Sequence, residues 1–241
     1  MGKDSFYARY VKRVLDITCA LAAMLVFCWL YAVVAVLVRV KLGTPVIFKQ
    51  VRPGKKDKFG HEKLFTLYKF RTMTDERDKN GDLLPDEIRL TKFGAWLRST
   101  SLDELPEAVN ILKGDMSVVG PRPQLVRDMV FMTDEQRKRH NVRPGLSGLA
   151  QVRGRNALEW NAKLCTDLEY VQNISLLLDM KIILETVKQV IFGQKGLEAM
   201  DVDEVAITDD FGDYLLSENR IGREEYERKQ NEARDLLRAW T

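Results

Sequence analysis

Residues 17–38 read ITCALAAMLVFCWLYAVVAVLV, which is 22 consecutive residues without a charge between Asp16 and Arg39. As a helix this segment is about 33 Å long, enough to cross a hydrocarbon core of about 30 Å. The segment is too long for a signal peptide, and no small-residue cleavage site follows it. A buried core helix of this length is rare in a soluble protein. The segment therefore predicts a membrane-embedded helix and, with it, a membrane protein.

Positive charges lie on both sides of this segment: Lys3, Arg9, Lys12 and Arg13 before it, and Arg39, Lys41 and Lys49 after it. The positive-inside rule therefore does not choose an orientation. A straight span would place one basic flank on the wrong side of the membrane. A re-entrant hairpin would keep both flanks in the cytoplasm, but residues 17–38 contain no Pro or Gly to break the helix. Both geometries stay open on this reasoning.

The composition excludes several other classes of protein. A hydrophobic content of 45% with 30% charged residues is too high for a disordered chain. Three cysteines, Cys19, Cys28 and Cys165, form no disulfide framework and indicate reduced thiols in contact with a cytoplasm. Two histidines without ligand spacing argue against a structural zinc site.

The small net charge hides an asymmetry between the body and the C-terminal end of the chain. Residues 196–241 hold thirteen acidic and six basic side chains, a net charge of −7. Because the whole chain carries +3, residues 1–195 carry +10. A basic body suits an anionic partner such as lipid headgroups or phosphates. We expect no nucleic acid partner, because no helix-turn-helix, zinc-finger or RNP pattern occurs.

The pattern of residues divides the chain into three parts. Residues 1–42 hold the membrane-inserted helix and its flanks, residues 43–195 a domain of mixed strands and helices, and residues 196–241 an acidic, partly helical extension. Short alternating runs at 46–51 and 64–70 predict a small β-hairpin joined by a basic loop. The expected fold class is therefore α+β and mainly helical.

Helical periodicity covers much of the remaining chain. The predicted helices are 102–114, 157–171, 175–192 and 218–240, the last of them solvated. The helix over 175–192 is amphipathic and bears Lys181 and Lys188, so it suits a bilayer surface. Packing against the domain core explains the same pattern equally well.

Ser101 begins a Ser-Leu-Asp-Glu sequence that has both a structural and a chemical interpretation. Ser101 and Glu104 have the spacing of a capping box at a helix start, and this interpretation is favoured by the motif alone. The same start would place Asp103 and Glu104 where the helix dipole favours ionised carboxylates. Such a carboxylate can attack phosphorus or hold Mg²⁺.

Several cations supply a context for anion binding. Arg98 lies five residues before Asp103, and Arg122 lies between two prolines that restrict its backbone. A guanidinium held in this way is suited to phosphate oxygens, although a rigid turn with a solvated Arg fits as well. Lys69 lies between aromatic residues, and residues 143–156, with three Gly and three Arg, suit a nucleotide diphosphate although they contain no P-loop.

Together these motifs resemble the bacterial sugar transferases, the small monotopic phosphoglycosyl transferases. The resemblance covers about residues 8–192 and is specific, since several motifs occur in the same order. The matching stretches are Lys12–Asp16, Gln50–Gly54, Tyr68–Met73, Arg98–Leu105, Asn110–Pro123, Arg143–Asn156 and Leu178–Lys181.

The resemblance implies a two-step reaction in which Asp103 is the nucleophile. Asp103 would attack the β-phosphate of a UDP-sugar and release UMP, and polyprenyl phosphate would then take the phosphosugar. It also implies Mg²⁺ held by Asp103 and Glu104 and phosphate contacts from Arg98, Arg122 and Lys69. The implied nucleotide-sugar residues are Arg143, Gly145, Gln151, Arg155 and Asn156.

The same resemblance implies a location and a class of sugar. It places the enzyme in the bacterial inner membrane, in contact with lipids, with a re-entrant membrane helix, the catalytic domain facing the cytoplasm and a homodimer possible. The expected sugar is an N-acetylated amino sugar. A UDP-hexose is the alternative within this class, and a non-enzymatic scaffold that binds anionic lipid is the alternative outside it.

The chain departs from the family pattern at three places. Cys28 and Trp29 stand where relatives commonly have the Ser-Pro that breaks the membrane helix. Leu149 replaces a usual Trp and Arg153 a common Asn, which bears on how the nucleotide-sugar is bound. The extension beyond residue 195 has no counterpart in the pattern.

Overall fold

The computed structural model describes residues 5–154, 159–192 and 210–240. The helices are α1 Lys12–Val26, α2 Cys28–Leu42, α3 Asp86–Arg89, α4 Lys92–Ser99, α5 Glu107–Lys113, α6 Val126–Met129, α7 Leu149–Gly154, α8 Trp160–Gln172, α9 Leu176–Phe192, α10 Phe211–Ser217 and α11 Arg223–Trp240. The strands are β1 Ile47–Lys56, β2 Glu62–Phe70, β3 Ser117–Val119 and β4 Gly145–Ser147. This composition confirms the predicted mainly helical α+β fold with a small hairpin.

The apolar segment forms two helices rather than one. Helices α1 and α2 meet at Phe27, whose backbone (φ −101°, ψ 14°) leaves the helical region, and the pair from Tyr7 to Leu42 bends by 67°. Among the described residues no single helix is long and apolar enough for a membrane span, whereas the bent pair meets that criterion as a unit. The break therefore occurs without the Pro or Gly that a sharp bend usually requires.

The base of α1 is tied to the domain by charged side chains. Asp16 is 3% exposed, and its Oδ1 accepts hydrogen bonds from the hydroxyl of Ser117 and the backbone N–H of Val118, both at 2.9 Å. Lys12 forms an ion pair with the buried Asp179 at the start of α9. These contacts explain the spacing of the Lys12–Asp16 motif, because residues four apart lie on one helix face.

The hairpin of β1 and β2 is longer than predicted and packs against α5. The antiparallel register runs from Ile47 opposite Phe70 to Lys56 opposite Glu62, so the basic loop continues the strand. Asn110 of α5 extends the contact, because its side chain accepts from a backbone N–H of β2 and donates to a β2 carbonyl. The hairpin thereby brings β2 beside the start of α5.

Helix α9 packs one side of its apolar surface against the domain core, as one interpretation of its pattern predicted, and its place on a bilayer surface stays a prediction. Ile182 is 1% exposed and packs in the core, whereas Leu177 is 83% exposed. The other exposed apolar side chains of the helix are Leu176, Met180, Leu184, Val187 and Val190.

Residues 211–240 of the C-terminal extension form the helices α10 and α11, and these helices are not simply solvated. Phe211 of α10 and Ala233 of α11 are buried against α6 and α8. Although the composition of this segment is mostly charged, its helices carry an apolar stripe. One apolar face is enough for an otherwise polar helix to pack against the domain. Residues 193–209, which include the first part of the acidic extension, lie outside the described residues.

Candidate active site

The predicted capping box at Ser101 is wrong. Ser101 has a left-handed backbone (φ 56°), and its side chain caps no helix. Leu102–Glu104 is a single 3₁₀ turn, and α5 begins only at Glu107, after Pro106. Proline suits a helix start because its missing N–H would have had no intrahelical partner. Asp103 and Glu104 therefore lie on a turn before the helix and not in its first turn.

The structure brings Glu104 together with two of the predicted cations. The Glu104 carboxylate accepts from Lys69 Nζ at 2.7 Å and from Arg122 at 3.1 Å. Burial opposes ionisation of this group, but the charges of Lys69 and Arg122 prevail and lower the pKa of Glu104 to about 2. Glu104 is thus a permanent anion that holds two cations in place.

Asp103 is in a different situation from its neighbour. It is 6% exposed, and within the described residues neither of its carboxylate oxygens accepts a hydrogen bond or forms an ion pair. Burial and the charge of Glu104 raise the pKa of Asp103 to about 6, despite Lys69, Arg98 and Arg122. The expected direction, an Asp103 stabilised as an anion by a helix end, is therefore wrong. Above pH 6 the group is an ionised carboxylate with its lone pairs available.

Glu107 is a third carboxylate of the cluster, and the sequence reasoning missed it. It is 3% exposed, lies 3.2 Å from Lys69 Nζ, and its pKa is raised to about 7 by burial and by Glu104. The available signal was its place three residues after Glu104. Arg98, as predicted, lies near this cluster: its Nε donates to Thr72, and the charge of Asp103 acts on its pKa.

The backbone turn that carries Arg122 is held by two other arginines. Arg139, 1% exposed, donates to the Arg122 carbonyl at 2.6 Å and to the carboxylate of Asp167 on α8. Arg52 donates to the carbonyl of Pro123 at 3.1 Å. The side chain of Arg122 is 47% exposed. The direction of its guanidinium therefore depends on these backbone contacts as well as on the two prolines beside it.

Two further cations lie near Arg122 and were not predicted. Burial and the positive charge of Arg122 lower the pKa of Arg52 to about 10, and the same two causes lower the pKa of Lys163 on α8. The Nε of Arg52 is buried without a hydrogen-bond partner. Cations that face one another in this way are suited to an anion that compensates their charges.

Two of the predicted nucleotide-sugar residues, Arg143 and Gly145, contact the backbone between α5 and Arg122. Arg143 donates to the carbonyl of Gly114, at the far end of α5, and lines a cleft of about 240 Å³ with Lys12 and Arg13. Gly145 lies so close to the backbone of Gly120 that a Cβ on residue 145 would be 2.0 Å from the nitrogen of Gly120. Gly145 therefore allows β4 to approach the segment that leads into Arg122.

Gln151 of α7 donates to the carbonyl of Leu146, and its Oε1 is buried without a partner. Arg155 and Asn156 lie outside the described residues. The role of this region in binding a nucleotide-sugar stays a prediction.

The arrangement of these carboxylates determines how a magnesium ion could bind. In the part of the chain that the structure describes, no group of three or more His, Cys, Asp or Glu side chains is arranged as a metal site. Mg²⁺ commonly binds through one or two carboxylates plus substrate phosphates and waters. The partner-free oxygens of Asp103 suit that mode, whereas Glu104 already holds two cations.

Comparison with known proteins identifies the class of enzyme. A family model described as bacterial sugar transferase matches residues 7–193, and the protein is accordingly a phosphoglycosyl transferase. The chain belongs to the bacterial sugar transferase family, as its motifs predicted.

Three relatives illustrate the range of this family. An uncharacterized sugar transferase of Bacillus subtilis is 50% identical over 76% of this chain and 89% of its own length. A galactosyl transferase of Streptococcus agalactiae is 38% identical over 76% of this chain and 42% of its own. A UDP-N-acetylgalactosamine-undecaprenyl-phosphate N-acetylgalactosaminephosphotransferase of Aeromonas hydrophila is 36% identical over 76% and 44%.

Proposed function

We propose that this protein transfers a sugar-1-phosphate from a UDP-sugar to polyprenyl phosphate, through a covalent phosphosugar intermediate on Asp103. The observation that carries this proposal is the buried Asp103, whose carboxylate has no hydrogen-bond or ion-pair partner in the described parts of the chain and lies beside a group of cations. A perturbed carboxylate in such a setting is typical of a functional group. The phosphotransferase named among the relatives supports the overall reaction.

In the first step an oxygen of Asp103 attacks the β-phosphorus of the donor. The bond from that phosphorus to the bridging oxygen breaks, and its electron pair leaves with UMP. In the second step an oxygen of polyprenyl phosphate attacks the same phosphorus and releases Asp103. Arg122 and Lys69 stabilise the charge on the phosphate oxygens, and Glu104 keeps both cations in position.

Mg²⁺ would be held by the carboxylates of Asp103 and Glu104 together with phosphate oxygens of the donor, which leaves one oxygen of Asp103 for the attack. When bound, the ion would neutralise charge on the diphosphate. Asp103 needs no general base, since at neutral pH its carboxylate is already ionised.

We place the site at the cytoplasmic face of the bacterial inner membrane, with α1 and α2 as a re-entrant insertion. Large apolar side chains are exposed along both helices, among them Leu25 at 75% and Trp29 at 61%. The hydroxyl of Tyr31 in α2 donates to the carbonyl of Leu105, one residue after Glu104. The carboxylates thus adjoin the inserted helices, where the phosphate of a lipid acceptor would lie. The exposed apolar face of α9 would rest on the same bilayer.

Labelling tests the re-entrant geometry. A Ser5→Cys variant with the three native cysteines replaced should resist a membrane-impermeant thiol reagent in intact cells and react after the inner membrane is opened. Modification in intact cells would establish a straight span.

The proposed sugar is an N-acetylated amino sugar. The Aeromonas relative, named for N-acetylgalactosamine, supports this class, whereas the galactosyl transferase of Streptococcus supports a UDP-hexose. UMP release from a panel of UDP-sugars, with Mg²⁺ and polyprenyl phosphate, tests both. If UMP is released only with UDP-hexose donors, the substrate is a UDP-hexose and not an N-acetylated amino sugar. If no donor releases UMP, the protein is a scaffold that binds anionic lipid.

A further inference from the structure

The C-terminal extension lies outside the region that defines the family. The family model ends at residue 193, whereas α10 and α11 occupy residues 211–240. The alignment with the Bacillus relative leaves about a quarter of this chain unmatched while using 89% of the relative. The two helices are therefore an addition to the common catalytic region.

This addition is packed into the segment that follows Arg122. One apolar cluster joins the two parts, with Phe211, Leu215 and Ala233 from the extension and Val126, Met129, Val130, Phe131, Met132, Trp160 and Leu164 from the catalytic region. All ten side chains are less than a tenth exposed. Burial on this scale orders both partners.

Polar contacts fix the same junction. Asp128, 2% exposed, accepts from the backbone N–H of Leu125 through one oxygen and from that of Phe211 through the other, at 3.1 and 3.0 Å. Lys229 of α11 donates to the carbonyl of Val130 at 2.7 Å. A single buried carboxylate thus ties the start of α10 to the residue that precedes α6.

The tie lies three residues from Arg122, because only Pro123 and Gln124 separate Arg122 from Leu125. On the other side, the ring of Phe211 lies 5.0 Å from that of Trp160 in α8. Helix α8 also carries Asp167, which holds Arg139 against the Arg122 carbonyl, and Lys163. The extension therefore contacts both elements that locate Arg122.

We propose that α10 and α11 are a positioning element for Arg122, which fixes the turn at 120–125 so that the guanidinium meets the donor diphosphate. Asp128 and Phe211 are the positioning residues that transmit this effect. The proposal rests on the proposed function for its kinetic consequence, but the ordering of the turn is a property of the folded chain.

Two glycines of the extension provide a matched pair of variants. A Cβ at Gly212 would lie 2.6 and 2.8 Å from carbons of the buried Phe131 ring, whereas a Cβ at Gly222 would meet nothing within 4 Å. Gly212→Gln should push α10 away from Phe131, and Gly222→Gln should leave the junction intact. If Gly212→Gln fails to fold, Lys229→Met with Arg228→Met as control forms a milder pair.

The decisive measurement is a double-mutant cycle for UMP release. We expect Gly212→Gln to lower kcat/KM for the UDP-sugar about tenfold, Gly222→Gln to match the wild type, and Gly212→Gln to cost less than twofold when Arg122 is already Lys. A Gly212→Gln variant as active as its control overturns the proposal. So does an equal loss in both backgrounds, because the extension would then act independently of Arg122.

Hydrogen exchange separates this proposal from the proposed function. In Gly212→Gln, but not in Gly222→Gln, the Leu125 amide should exchange at least tenfold faster than in the wild type. If the wild type releases no UMP, the proposed function fails while this result still supports an ordered turn. Unchanged exchange at Leu125 overturns the positioning role whatever the activity.

Discussion

Two buried carboxylates, Asp103 and Glu62, show opposite ways of placing a negative charge inside this protein. Glu62 accepts two hydrogen bonds from Arg137, at 2.9 and 2.6 Å, and its Oε1 lies 3.3 Å from the Nδ1 of His140. Burial disfavours its charge, but these partners prevail and lower its pKa. Asp103 has no such partner among the described residues, and its pKa is raised to about 6.

The difference separates a structural charge from a chemical one. The lone pairs of Glu62 are used within the fold, where they join β2 to the segment that carries Arg139 and His140. The oxygens of Asp103 retain their capacity for an external phosphorus or cation. Burial alone is therefore no sign of a function, whereas burial without a partner beside cations is.

The largest expected effect is that of Asp103→Asn. This change should lower turnover at least about a thousandfold, or about 4 kcal/mol, because the amide oxygen is a poor nucleophile. Mass spectrometry of the wild type with UDP-sugar and Mg²⁺, but no polyprenyl phosphate, should show a phosphosugar adduct on the Asp103 peptide and matching UMP release. The variant should show neither, and Asp82→Asn, on an exposed loop, should behave as the wild type. UMP formation that requires the acceptor, without an adduct, would reduce Asp103 to a metal ligand.

Glu62→Gln should have the opposite effect to Asp103→Asn, because it should lower stability and leave turnover nearly unchanged. The variant should lose about 2 kcal/mol of unfolding free energy, because Arg137, whose side chain is 30% exposed, would lose its carboxylate partner. Its kcat at low temperature should stay within about twofold of the wild type. Denaturant titration and UMP release measure the two quantities. A stable but inactive Glu62→Gln would contradict the structural role of this carboxylate.

Arg122→Lys should have a moderate effect. The variant keeps the positive charge near Glu104 but loses the planar guanidinium, which can donate two parallel hydrogen bonds to a phosphate. Turnover should therefore fall about tenfold, which is about 1.4 kcal/mol of transition-state stabilisation. Arg98→Lys should behave similarly, and Arg77→Lys on an exposed loop serves as the control. Wild-type rates in both Arg122→Lys and Arg98→Lys would place the phosphate site elsewhere.

The smallest expected effect is that of pH. Because the pKa of Asp103 is raised to about 6, the ionised fraction falls as the pH drops through that value. Adduct formation should therefore be about half its plateau rate at pH 6 and continue to fall below it. A midpoint near 4 would indicate a carboxylate with an ordinary pKa, and a midpoint near 7 would point to Glu107.

Local patterns predicted a large part of the fold and some of the site. The apolar run predicted the membrane-type segment, alternation predicted the hairpin, and ordered motifs indicated Asp103, Glu104 and Arg122. The re-entrant geometry required a break in the apolar segment, but its place at Phe27 was not predicted, since residues 17–38 hold no Pro or Gly. The late start of α5 was not predicted either, because Ser101 imitates a cap while Pro106 sets the boundary.

The sequence by itself determined which segments are apolar, which helices are amphipathic, and which family the chain belongs to. Only the tertiary structure decided which charges meet: Lys69 and Glu104 are 35 positions apart, and Arg139 and Asp167 are 28 apart. Arg52 and Lys163 join the site for the same reason, whereas Glu107 lies only three residues after Glu104. A pKa depends on burial and on charges within a few ångströms. The chain brings those groups together only by folding, and so the contrast between Asp103 and Glu62 has no signature in their local sequence.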